Sequence, residues 1–369
     1  MKVHKKKETT NRVMWIDVAK FLAIVAVMID HTSGTLYSSH YVMFFSYYSV
    51  SLFIFVLGIT TIWEYTSKNI DNTLGWVKLK CLKIVRPYIV ANIICGVCIY
   101  RRFDFEIILN GLIHFNLIGP FYYVLLYIQL ILISPLLFEI FNRADNCTGF
   151  ITIEIIGLLF MVFISILTTN YSSILGVYGG GGKLFGGTYL ILFYLGMWFG
   201  KHYNKIYNSI SSKLAIFFVI ITCISTFIWW LFISDNAGQI DSIVPFGEGF
   251  NPPSVSLCVY SLLVAAMLFF SEIVLRSYSF VIITKATNIM ANIGRHTLYI
   301  FLYHLVLAGI VIPGVHQLTG ITIYNIWVKR IVYFGMMIIG SVILEIVLEK
   351  THSCIMKALN TCSLRVDSK

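Results

Sequence analysis

The chain has 369 residues, of which 58% are hydrophobic and 12% charged, with a mean hydropathy of +0.83. No soluble globular protein has that balance, and a polytopic membrane protein is the class that remains. The formal net charge of +10 does not call for nucleic acid as a partner, because basic residues gathered on one side of a membrane account for it.

Apolar runs long enough to span recur near residues 13–33, 41–63, 84–100, 120–141, 150–169, 187–200, 214–233, 254–275, 296–312 and 326–347. They predict an all-α polytopic transmembrane bundle of about ten helices. It forms one domain over 13–347, preceded by a basic segment at 1–12 and followed by a tail at 348–369. Of 27 basic residues, Arg101, Arg102, Lys183, Lys329 and Arg330 fall outside if the N-terminus is inside, and Lys20 falls in the membrane. The rest lie inside, so both termini are expected to be cytoplasmic. Lys2, Lys5, Lys6 and Lys7 resemble the start of a signal peptide. The next helix is charged and lacks a small-residue cleavage site, so it is expected to be retained.

The first predicted helix, Met14 to His31, carries Asp17, Lys20, Asp30 and His31. Ionisable groups in lipid cost several kcal/mol each and by default mark function. Lys20 and His31 are eleven positions apart, which returns to within about 20° of one helix face, roughly 16 Å along the axis. One face therefore presents a cation at one depth and an imidazole at another. Asp17, at i−3 from Lys20, reads as its ion-pair partner. Asp30 adjoins His31 in sequence but points to another face.

At the inner mouth of the third span comes a basic run, Lys78, Lys80, Lys83 and Arg86, followed by Pro87. Lys83 and Arg86, one turn apart, could jointly grip phosphate groups. A positive-inside flank touching lipid headgroups is the competing reading. Cys95 and Cys98 read as small residues in a packed helix, and no Cys/His cluster has zinc-site spacing, so no metal is expected.

The external stretch Gly176, Gly179 to Gly182, Gly186 and Gly187 surrounds Lys183. It is no phosphate loop, because Val177 and Leu184 stand where that motif needs Gly and Ser or Thr. The loop 234–253 is polar and aromatic, which suits either contact with sugar or plain solvation. The ninth span opens with Arg295 and His296 and carries His304 deep in the membrane, where an imidazole needs a partner.

Taken in order, these residues resemble the acyltransferase family 3 membrane enzymes. The family's first-helix pattern, Arg or Lys, ten residues, then His, is similar to Lys20 through His31 within WIDVAKFLAIVAVMIDH. SLFIFVLGITTI at 51–62 resembles its second-helix phrase. Lys83 and Arg86 match its RxxR pair, with Lys for the first Arg. FYYVLLYIQLILISPLLF at 121–138 is similar to its fourth-helix segment, with Tyr122 and Tyr123 where Trp is common. IGRHTLYIFLYHLVL at 293–307 resembles its ninth-helix motif, ending here in His304.

The resemblance implies a plasma-membrane enzyme moving an acyl group, acetyl by expectation, from cytoplasmic acyl-CoA to a hydroxyl of an extracytoplasmic or lipid-linked glycan. It implies His31 and Lys20 as catalytic residues and Lys83 and Arg86 on the acyl-CoA phosphates. Asp17, Asp30, Tyr122, Tyr123 and His304 are additional candidates. Acyl-CoA would be a donor substrate rather than a tightly bound cofactor. The carbohydrate acceptor, the bilayer and glycan-synthesis machinery would be the partners. The rival reading is an exporter or flippase of polysaccharide or lipid-linked sugar, because intramembrane charges also mark substrate pathways. The lack of a clear internal repeat counts against it.

Overall fold

The computed structural model describes residues 13–68, 72–145, 150–170, 183–236, 251–278, 281–319 and 324–366, and among these no β-strand occurs. The glycine stretch around Gly179 and most of the 234–253 loop lie outside the described residues. The helices are α1 (Met14–His31), α2 (His40–Ser46), α3 (Ser49–Lys68), α4 (Thr73–Tyr100), α5 (Phe105–His114), α6 (Tyr122–Asp145) and α7 (Phe150–Asn170). They continue as α8 (Tyr189–Ser209), α9 (Ser212–Asp235), α10 (Val255–Ser277), α11 (Val281–Ile293), α12 (Thr297–Val306), α13 (Ile312–Thr319) and α14 (Ile326–Val366).

Side-chain caps start several of them, each satisfying an amide the first turn leaves open. Asn72 accepts from Gly75 N ahead of α4, and Asp104, Ser211 and Ser254 do the same for α5, α9 and α10. The third span begins earlier than expected, at Thr73 rather than residue 84, so the whole basic run is helical. The ninth is a broken rod. It comprises α11, a 3-10 turn at Gly294–His296, α12, a π-helical turn at Leu307–Val311 and α13.

Among the described residues, eight helical stretches are long and apolar enough to cross a membrane. Helices α1 and α8 lie outside that set. The first carries Asp17, Lys20 and Asp30, and the second carries Lys201, His202 and Lys205. Both are interior helices, with α1 burying Trp15 to Ala19 and α8 burying Tyr189, Leu190 and Leu192 to Tyr194. In the most apolar windows of α9 and α14, by contrast, only 11% of residues are buried, which leaves them facing lipid. Asp17 is thus buried and Lys20, Asp30, Lys201 and His202 are half-buried among protein rather than hydrocarbon, while Lys205 near the end of α8 is exposed.

The tightest packing joins α3 and α8. A side chain at Gly58 would strike the backbone of Phe193, and one at Gly196 the backbone of Phe55. Gly200, one turn beyond Gly196, lies against the Ile62 side chain and the backbone of Ile59. Small residues four apart let two membrane helices approach at backbone distance, where dispersion substitutes for the missing hydrophobic drive.

Candidate active site

Helix α1 forms one wall of the site. Asp17 is buried, 3.5 Å from Lys20 and 4.0 Å from Arg295. Arg295 reaches it because Gly294 packs directly on the backbone of Asp17, where any side chain would collide. The pairing of Asp17 with Lys20 agrees with their i,i+3 spacing. The link to Arg295, far along the chain, is an addition that only folding supplies.

Lys20 lines a cavity of about 230 Å³ enclosed by α1, α3, α4, α6 and α12, together with Thr60, Lys80, Lys83, Tyr123, Tyr127, Thr297 and Phe301. Three lysines therefore face one small space. Lys80 is held there by Glu64 on α3, at 2.5 Å, and by the ring of Trp76 at 5.8 Å. Lys83 is exposed at the cavity's edge. Arg86, also exposed, does not line the cavity; Lys80, one turn before Lys83, stands there instead. Lys80, which the sequence showed only as a member of the basic run, and Tyr127, Thr60 and Thr297, which it did not mark, are further polar lining residues. The spacing Lys80, Lys83 and the pair Tyr123, Tyr127 carried the signal, since i,i+3 and i,i+4 neighbours share a face.

Tyr123 lines the cavity, whereas Tyr122 stands beside Tyr189, whose hydroxyl donates to Asn251 Oδ1 at 2.9 Å. The ring of Tyr123 packs on Phe301 at 5.0 Å, and Phe301 packs on His304 at 6.3 Å. His304 in turn lies 5.2 Å from His31, centroid to centroid. The two histidines, from opposite ends of the chain, form one pair beyond the aromatic floor of the cavity.

The protonation pattern of His304 follows from its neighbours. Its Nδ1 lies 2.8 Å from Phe301 O and 3.1 Å from Ile300 O, and carbonyls only accept, so Nδ1 carries the hydrogen. In the neutral ring Nε2 then bears the lone pair. That atom is buried and, among the described residues, makes no hydrogen bond. The π-helical turn begins three residues later, a distortion frequent at functional sites.

His31 sits in the last turn of α1 and is exposed. Thr32 closes the helix, its hydroxyl donating to Met28 O at 2.7 Å. The following turn, with Gly34 at φ 82°, is clamped by Arg330, whose Nε donates to Leu36 O at 3.0 Å and whose guanidinium lies 4.4 Å over Tyr37. Asp30 is half-buried one residue before His31 and near Tyr47. His296, at the opposite end of α12 from His304, pairs with Glu345 through Nδ1 at 2.5 Å.

The arrangement is a cationic cavity, an aromatic floor and an imidazole pair in series. It can hold an anion at one end and move a proton at the other. Among the described residues no group of three His, Cys, Asp or Glu side chains is placed to hold a metal.

No curated protein matches the chain, and no solved structure does. The acyltransferase 3 family model, described as an acyltransferase domain, matches residues 13–347. Nearly the whole helical bundle falls within that match, and the chain belongs to this family of acyltransferases.

Proposed function

We propose that this membrane acyltransferase takes an acyl group, acetyl in the simplest case, from cytoplasmic acyl-CoA and delivers it to a hydroxyl of an extracytoplasmic or lipid-linked glycan. The observation that carries this reading is the line from the three-lysine cavity through Phe301 to the His31 and His304 rings. A space of about 230 Å³ is below the usual range for a whole drug-sized ligand. It suits part of the donor's pantetheine arm, with the nucleotide phosphates at its edge beside Lys83 and Lys80 and the thioester directed past Phe301 toward His31.

His31 acts as general base. A neutral imidazole, with one ring nitrogen protonated and the other bearing a lone pair, can accept a proton and return it. It takes the proton of the acceptor hydroxyl as that oxygen bonds to the thioester carbonyl carbon. The tetrahedral oxyanion collapses, the carbon–sulfur bond breaks, and the departing thiolate receives the proton from the His31 imidazolium. The products are an ester and free CoA. His304, with Nδ1 committed to backbone carbonyls and its ring 5.2 Å from that of His31, holds the His31 imidazole in place by packing.

The test is to delete the protein in its host, restore it as wild type or Lys20→Ala, and quantify ester-linked acyl groups per sugar on the cell-surface glycan. Ester content is expected to fall on deletion, return with wild type and stay low with Lys20→Ala. Loss of surface glycan at constant ester per sugar would point instead to export.

The donor site has a separate readout. Acyl-CoA binding to purified protein is expected to weaken about tenfold in Lys83→Ala and in Lys80→Ala, since hydrogen bonds to charged groups are worth about 1.5–3 kcal/mol when buried and less at an exposed edge. The dependence on salt should flatten in both. Unchanged affinity and salt dependence would return these lysines to the role of a positively charged flank.

A further inference from the structure

A second polar cluster lies apart from the site above, between α7 and α8. Glu154 is buried in the otherwise apolar face of α7. Its Oε1 accepts from Lys201 Nζ at 3.0 Å, its Oε2 accepts from Trp198 Nε1 at 2.9 Å, and His202 Nε2 lies within 3.2 Å of both. Lys201 also donates to Phe141 O at 2.9 Å. The carboxylate is fully engaged, and it balances one of the two lysines nearby.

The cluster forms one side of a groove of about 560 Å³ whose remaining walls include Ile155, Leu158, Leu195 and Ile206. Lys205 and Ser209 stand at its end. Lys205 is exposed, and among the described residues it has no ion-pair partner. The order along α8 is Ser209 and Lys205, then His202 and Trp198, then Leu195 and Tyr194. Charge comes first, a polar band second, hydrocarbon last. From Lys205 to Leu195 the helix rises roughly 15 Å, half of the roughly 30 Å hydrocarbon core. The groove is therefore one leaflet deep and opens to lipid, with Ile155 51% exposed along its wall.

We infer that this groove binds one anionic phospholipid, its phosphate at Lys205 and the solvent edge of His202, and one acyl chain along Leu158 and Leu195. The occupant is chosen by charge complementarity. After Glu154 and Lys201 cancel, Lys205 leaves a net positive charge at the mouth of an apolar channel, which matches a single negative headgroup on a hydrocarbon tail. A zwitterionic lipid fills the same channel and gains nothing at Lys205.

The test uses full-length protein in phosphatidylcholine nanodiscs doped with a photoactivatable phosphatidylglycerol or, separately, a photoactivatable phosphatidylcholine. Crosslinks are mapped by peptide mass spectrometry. Labelling of the segments 151–158 and 194–209 is expected to be about fivefold stronger with phosphatidylglycerol, the preference one basic residue confers at a membrane surface. Lys205→Glu should reduce it to the phosphatidylcholine level, and Lys205→Arg should keep it. Because Lys205 is exposed, neither change disturbs the bundle, which an unchanged melting profile verifies. Equal labelling by the two lipids, insensitivity to Lys205→Glu, or preferential labelling by a long-chain acyl-CoA probe would overturn the assignment.

Discussion

Replacing His31 with alanine is expected to lower acyl transfer by about two to four orders of magnitude, the range attributed to a positioned general base. Acyl-CoA binding should stay within about twofold of wild type, because the lysines that face the cavity lie on the far side of Phe301 from the imidazole pair. The split matters more than the loss. A merely structural His31 would reduce folded protein, and binding and turnover would fall together. The measurement is acyl transfer to a soluble hydroxyl acceptor by protein in liposomes, run beside donor binding on the same preparation. Added imidazole should restore part of the rate to His31→Ala by occupying the vacated place. No rescue, with binding intact, would argue that His31 carries no proton. His304→Gln should fall between the two, since its effect passes through the orientation of His31.

Gly196→Leu is expected to prevent assembly of the bundle. A side chain there meets the Phe55 backbone, which cannot swing aside as a flexible side chain would. Overpacking in a well-packed interior costs about 1–3 kcal/mol and occasionally more. A branched side chain driven between two helix backbones belongs at or above the top of that range. Thermal unfolding in detergent and size-exclusion profiles should show loss of the folded form. Gly335→Ala on α14 has open space around it and should melt as wild type. If Gly196→Leu folded normally, the close crossing of α3 and α8 would be wrong.

Much of the site was legible along the chain because it lies on single helices. The phase of Lys20 and His31 and the spacing of Asp17 from Lys20 follow from helix geometry alone. The basic run shows where that stops. Lys80, Lys83 and Arg86 are spaced three apart, so the face rotates by about 120° from first to last. Only two of them can look the same way, and the neighbours of α4 decide which. Tyr122 and Tyr123 present the same difficulty, being consecutive and so about 100° apart. Gly196 and Gly200 drew no notice along the chain, and nothing there names Gly58 as their counterpart; their close crossing is visible only in the folded packing. His31 with His304, and Asp17 with Arg295, join distant segments, and those pairings come from tertiary packing that no local periodicity encodes.

The contact between Tyr123 and Phe301 also bears on the membrane as an electrical insulator. A potential of 100 mV does about 2.3 kcal/mol of work on each elementary charge that crosses. A hydrated passage from the lysine cavity to the exposed His31 would short-circuit that potential continuously. Tyr123 and Phe301, ring against ring between the lysine cavity and the histidine pair, put hydrocarbon rather than a file of water on that line.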